Sequence, residues 1–310
     1  GINNSPNSYN PFGEKDNSEK IKNRTNTVLA KMLELGYIDE AEYNEATANV
    51  DAGLKFKKGS VESSDGVYSY HTDALITDVT NDIAKKYDIS SDFATNYIYM
   101  AGLTITSTQD SKIQNLIETE MEKSKYVLQS KTGGDPSQAA MVIIDHKNGY
   151  VLGCVGGLGE KTTPRSLNRA TQSIRQTGSA IKPIAVVGPA IQKRIIVASS
   201  IYDDTEKDFP GGYHPVDYSK ALGKITVRRA IESSQNIPFV EIMQELKPSV
   251  SMDYLERLGI TTLTEEDNNL SLALGGLQKG ISPLEMAAAY AAIANDGEYI
   301  EPVFYQNIKN

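Results

Sequence analysis

Ser179 and Lys182 stand three residues apart in the run Arg175-Gln176-Thr177-Gly178-Ser179-Ala180-Ile181-Lys182-Pro183, ahead of an apolar stretch that reads as helix. At a helix start that spacing puts a hydroxyl and an amine on one face, one turn apart. A serine hydroxyl attacks only with a base beside it, and an amine can serve once desolvation or nearby positive charge lowers its pKa. Gly178 lets the backbone turn sharply before the hydroxyl, and the N–H groups of the helix start would face a developing oxyanion. S-x-x-K also arises by chance as an ordinary helix start with a capping serine and a surface lysine. A second element, Ser233-Ser234-Gln235-Asn236-Ile237-Pro238, lies between two helical segments. From one loop it would present the Ser234 hydroxyl, suited to passing a proton, and the Asn236 carboxamide, suited to holding an amide substrate. Alone, it reads as a capping turn.

Other reactive residues carry less. His71, His146 and His214 have no ligand-like spacing to one another or to Cys154, so structural or surface roles are expected and no metal site. Cys154, the single cysteine, sits in an apolar run and reads as core. It forbids an internal disulfide. Gly157 to Thr162 fails the phosphate-loop pattern because no glycine adjoins the lysine. Tyr202, Tyr213 and Tyr218 could line a groove, though loop packing accounts for them better.

The elements that must hold these groups follow from periodicity. Asn4 to Phe12 is rich in Asn, Ser and Pro and reads as irregular. Val28, Leu29, Met32, Leu33 and Leu35 predict a helix from Ser18 with Gly36 beyond its C-cap, and a second runs from Asp39 to about Ala48. The polar stretch from Asp51 to Gly66 reads as a linker. Leu75, Ile76, Val79 and Ile83 give one stripe on a helix from about Ser69 to Lys86. Leu103 to Thr108 alternates as a strand, and Ile113, Leu116, Ile117 and Met121 mark the next helix. Ala139 to Asp145 and Tyr150 to Val155 form a hairpin through Asn148-Gly149. Ser282-Pro283-Leu284-Glu285 opens a helix running to Asn295, with Gly297 to end it. Val303 to Lys309 reads as a strand that has only begun.

At 310 residues the chain has room for roughly two domains, and no apolar run is long enough to span a membrane. Thirty-one basic against 40 acidic residues give a net charge of -9, the wrong sign for phosphate-driven nucleic-acid binding.

In the order S-x-x-K then S-x-N, the two elements are two of the three that mark penicillin-binding proteins and class A β-lactamases. The chain resembles a bifunctional, class A penicillin-binding protein over nearly its whole length. Asn4 to Phe12, Arg24, Val28-Leu29 and Met32 to Ile38 look like the tail of the glycosyltransferase domain. Gly102 to Asp110 with Gln114 is similar to the segment leading into the transpeptidase. Ala139 to Gly157, Asn168 to Thr171, Leu272 to Gly276 and Gly280 to Gly297 are similar to that domain's scaffold.

The resemblance implies an α+β fold, an antiparallel sheet flanked by helices. Residues 1–50 would be the glycosyltransferase remnant, 51–137 a linker region and 138–310 a transpeptidase domain cut before its third element. That element is a lysine, a threonine or serine, and a glycine on a strand. Lys131-Thr132-Gly133 precedes the nucleophile in a polar loop and is a decoy. By the same resemblance Ser179 is the acylated nucleophile, Lys182 its base, Ser234 a proton relay and Asn236 a substrate ligand, the order of proton transfer staying open. Implied substrates are peptidoglycan stem peptides ending in D-Ala-D-Ala, with β-lactams as inhibitors. Neither cofactor nor metal is implied, and cell-wall synthesis proteins are the partners expected. The implied location is the outer face of the bacterial cell membrane, with an anchor upstream. Without the third element this stretch is expected to be impaired and its hairpin under-supported. The rival readings are a carboxypeptidase or β-lactamase-type hydrolase and a non-catalytic, penicillin-binding scaffold or sensor.

Overall fold

The structure is a computed structural model that describes residues 9–12, 16–56 and 66–309. Most of the irregular opening and of the linker expected at Asp51 to Gly66 therefore lies outside the described residues. The chain divides into two compact units, residues 1–64 and 65–310. In the first, α1 (Ser18–Glu34) packs on α2 (Glu40–Asp51), with Ile21 and Val50 buried. Asp39 caps α2 through a reciprocal pair with Glu42, fixing its start at the expected residue.

The second unit opens with α3 (Tyr70–Tyr87), α4 (Ser91–Met100), β1 (Thr104–Ser107) and α5 (Ser111–Met121). Residues 70–121, inside the stretch expected as linker region, thus fold as part of this unit, because their apolar stripes have a core to cover. The hairpin follows as β2 (Met141–Asp145) and β3 (Tyr150–Val155). A long helical run then leads through α6 (Gly188–Gln192) to β4 (Ile201–Asp203), β5 (Lys224–Thr226), α7 (Val227–Glu232), α8 (Ile237–Leu246) and α9 (Pro248–Arg257). Last come α10 (Pro283–Ala294) and β6 (Tyr305–Lys309).

Strands pair antiparallel as β1–β6, β2–β3 and β4–β5. A parallel bridge from Tyr150 to Val303 ties the residues leading into β6 to the hairpin. The hairpin turn spans 146–149, and of Asn148 and Gly149 only the glycine takes a positive φ, 75°, so the connection is longer than a two-residue turn.

Two cores fill this unit. One gathers Leu75, Val79 and Ile83 of α3 with Ile117, Val151, Cys154 and Phe304. The stripe expected on α5 is wrong at one place. Leu116 is exposed, and Gln114 is buried instead, donating to Cys154 O at 2.9 Å and accepting from Cys154 N at 2.8 Å. An amide can satisfy both backbone groups of β3 there, which a leucine could not. The other core is built on α8, apolar nearly all round, with Ile237, Phe239, Val240, Ile242 and Met243 fully buried. Against it pack Ile181, Ile184, Ala185 and Val186 from the run that follows Ser179.

Candidate active site

The segment read as one helix start changes pitch twice. Gly178–Ile181 is a 3-10 turn, Pro183–Val187 a π turn, and α6 completes the run. Departures of this kind concentrate at functional sites. The Lys182 N–H donates to Ser179 O, so the two residues lie one turn apart as the spacing requires. Ile181, Ile184 and Ala185 anchor the run in the core, whereas Ser179 is exposed. Gly178 bends the chain at φ +54°, and the Tyr290 hydroxyl holds the turn by donating to Ala180 O at 2.7 Å. Behind it lies Gly275, where a Cβ would press on the backbone of Gly178 and stand 2.6 Å from Thr177 Oγ1. Only a glycine allows that approach.

Lys182 is only 1% exposed. Its ammonium donates to Asn236 Oδ1 at 2.7 Å, Ser234 O at 2.8 Å, Gln235 O at 2.9 Å and Ser234 Oγ at 3.3 Å. The Ser179 hydroxyl is not among these four acceptors. Nζ also lies 5.2 Å from the centre of the Phe239 ring. Burial pushes the amine down to about 8, against the attraction of Asp217 and Asp204. More of it is therefore unprotonated at neutral pH than of an ordinary lysine, which is almost wholly charged.

Three acceptors come from the end of α7. Its last turn closes with Ser234 N–H on Ile231 O and Gln235 N–H on Ala230 O, which leaves Ser234 in the left-handed region at φ +55°. Glycine normally takes that position, so a serine held there stores backbone strain. Asn236 opens α8 without a side-chain cap bond. Its carboxamide bridges instead, accepting from Lys182 and donating to Val216 O at 2.6 Å. The two motifs therefore meet. Lys182, Ser234 and Asn236 form one hydrogen-bonded cluster, with Ser179 one turn before it.

Beneath the loop lies a layer that sequence reasoning missed. Gln235, buried between the two motif residues, donates to Asp204 and accepts from Ser219 at 2.9 Å. Asp204 follows β4, is fully buried, and accepts from Leu222 N at 2.8 Å. Asp217 accepts from the Asn236 N–H. Spacing offers no signal for these residues, because β4–β5 pairing is what carries Asp204 to the loop.

The remaining candidates stay apart from this chemistry. His71 Nε2 meets Val151 O at 2.7 Å, and burial lowers its pKa, so the ring is neutral and structural. His146 lies in the hairpin turn, and exposed His214 pairs with Asp208. Burial raises Cys154 to about 11, an inert thiol in the core. Lys131, Thr132 and Gly133 occupy an exposed turn. Tyr202 and Tyr213 pack on the α8 core and Tyr218 is fully exposed. No group of His, Cys, Asp and Glu side chains suited to a metal ion occurs among the described residues.

Residues 139–310 match the penicillin binding protein transpeptidase domain. The chain belongs to that family. Penicillin-binding protein 1A of Clostridium botulinum (strain Langeland / NCTC 10281 / Type F) is 32% identical over 324 residues, covering 99% of this chain and 39% of the relative. Penicillin-binding protein 1F of Bacillus subtilis (strain 168) is 33% identical over 305 residues, covering 98% of this chain and 39% of its own. The chain thus spans about two fifths of the length of these penicillin-binding proteins. Among solved structures, PonA1 from Mycobacterium tuberculosis superposes with a TM-score of 0.62 at 26% identity, covering 76% of this chain and 60% of that one. PonA1 has also been solved in complex with penicillin V. The α+β fold expected of the family is the fold observed, and no helix among the described residues is long and apolar enough to cross a membrane.

Proposed function

We propose that this chain carries the acyl-transfer site of a peptidoglycan D,D-transpeptidase. The observation that supports it best is the buried Lys182 amine, one turn after an exposed Ser179, bonded to both Ser234 and Asn236. Loss of a proton leaves Lys182 with two donors for four acceptors, freeing its lone pair to turn toward the Ser179 hydroxyl. Ser179 Oγ then bonds to the penultimate D-alanyl carbonyl carbon while Lys182 takes its proton. The C–N bond breaks, and the departing D-alanine receives a proton by way of Ser234. An amine from a neighbouring stem attacks the ester, forms the new amide, and returns Ser179 to its hydroxyl form. Asn236 would hold the substrate by exchanging its Val216 acceptor for a stem-peptide carbonyl.

A β-lactam, the class of ligand present in the PonA1 complex with penicillin V, would enter the same path. Its amide opens on Ser179, but the leaving nitrogen stays tethered and the ester persists. Such substrates place the domain on the outer face of the cell membrane, among the proteins of cell-wall synthesis. The test is intact mass spectrometry of the protein after exposure to penicillin. A stable adduct of one penicillin, lost in Ser179→Ala, is expected. An unmodified protein overturns the proposal, and rapid release of hydrolysed penicillin replaces it with a hydrolase.

A further inference from the structure

Asp204 and Asp217 reach the Ser234–Asn236 loop from two different segments. Asp204 spends one carboxyl oxygen on the Leu222 N–H and the Gln235 amide, and Asp217 spends one on the Asn236 N–H. Each has a second oxygen, Asp204 Oδ1 and Asp217 Oδ2, that is buried and without a hydrogen-bond donor among the described residues. The two acids accept from adjacent residues of one loop, Gln235 and Asn236, and each senses the other's charge. Two ionised carboxylates cannot share such a place, because each would be desolvated against a like charge. One proton shared by the two carboxyls would remove both faults, turning one acid into a donor.

We propose that Asp204 and Asp217 form a proton-sharing carboxyl pair, a positioning element that fixes the loop and keeps the charge beside Lys182 at a single negative unit. The inference rests on the reading of Lys182 as the base. Burial, with the neighbouring Asp204 charge, raises the pKa of Asp217, against the pull of the Asn236 N–H and Lys182. Lys182 is the charged group facing the pair from the nucleophile turn. From the 217–223 segment and the α7–α8 loop it is met by uncharged groups, the Leu222 N–H, Gln235 and Asn236. With the pair sharing a proton, a protonated Lys182 is matched charge for charge. With both acids ionised, two anions would hold the amine in its charged form and take it away from base chemistry.

The experiment is NMR titration of this chain carrying 13Cγ-aspartate and 15Nζ-lysine, with Asp217→Asn and, separately, Asp204→Asn. One carboxyl signal is expected to keep its proton well above the pH at which the exposed aspartates titrate, and to vanish in either variant. Asparagine mimics the protonated acid, so the Lys182 titration is expected to stay where it is in Asp217→Asn. Either of two results overturns the pair: both carboxyls titrating with the exposed aspartates, or a Lys182 titration that moves to lower pH in the variant. Should Asp217→Asn fail to fold, Asp204→Asn supplies the same lysine readout. Neither measurement involves penicillin, so a missing Ser179 adduct and a missing shared proton are separate outcomes.

Discussion

The Lys182 ammonium donates to the Asn236 carboxamide oxygen at 2.7 Å and thereby turns the amide's NH2 toward Val216 O. One residue of the first motif thus orients one of the second. Asn236→Ala takes one of four acceptors from the Lys182 ammonium, which keeps three for its three N–H groups, and hands the Val216 carbonyl to solvent, a loss of about 1 kcal/mol. Removing an acceptor from the charged amine also favours the neutral form. Urea unfolding is expected to show the destabilisation, and the onset of penicillin acylation is expected at lower pH than in the parent.

Acylation should depend on pH through Lys182. Burial lowers this amine to about 8, and in the proposed mechanism the unprotonated form is the base. The rate is therefore expected to rise with pH and level off above about 8. Lys182→Ala is expected to reduce it by about 10²–10⁴-fold, the range of a general base. Stopped-flow acylation with a chromogenic β-lactam measures both.

Ser234 separates stability from chemistry. Its left-handed φ of +55° suits glycine, so Ser234→Gly is expected to stabilise the protein by about 1 kcal/mol while removing the proposed relay. Ser234→Ala removes the same hydroxyl without relieving the backbone. Thermal unfolding should rank glycine above serine and serine at or above alanine, and acylation should fall in both variants.

Gly275 tests the support behind Ser179. A methyl there meets the Gly178 backbone and displaces the turn that carries Ser179. Gly275→Ala is expected to destabilise by about 1–3 kcal/mol and to slow acylation by about 10²-fold, although the residue lies in neither motif. Acylation unaltered from the parent would show that the turn accommodates the methyl.

Much of this was legible in one sequence. The Ser282-Pro283-Leu284-Glu285 cap opens α10 where expected, and the β2–β3 hairpin spans nearly the expected residues. Local rules fix such elements, and Ser179, Lys182, Ser234 and Asn236 carried enough pattern to be singled out. What was not legible depends on distant partners. Gln114 looks like a surface residue until Cys154 lies across from it, and Asp204 like a loop charge until β4 pairs with β5. The change from 3-10 to π pitch around Lys182 falls where Pro183 supplies no N–H and the run packs on α8.

The most direct measurement is peptide-level mass spectrometry of the penicillin-treated transpeptidase domain. One acyl adduct on Ser179, abolished in Ser179→Ala and strongly slowed in Lys182→Ala, is the expected result. An adduct on another residue, or one that forms at the parent rate without the Lys182 amine, would contradict the serine–lysine assignment.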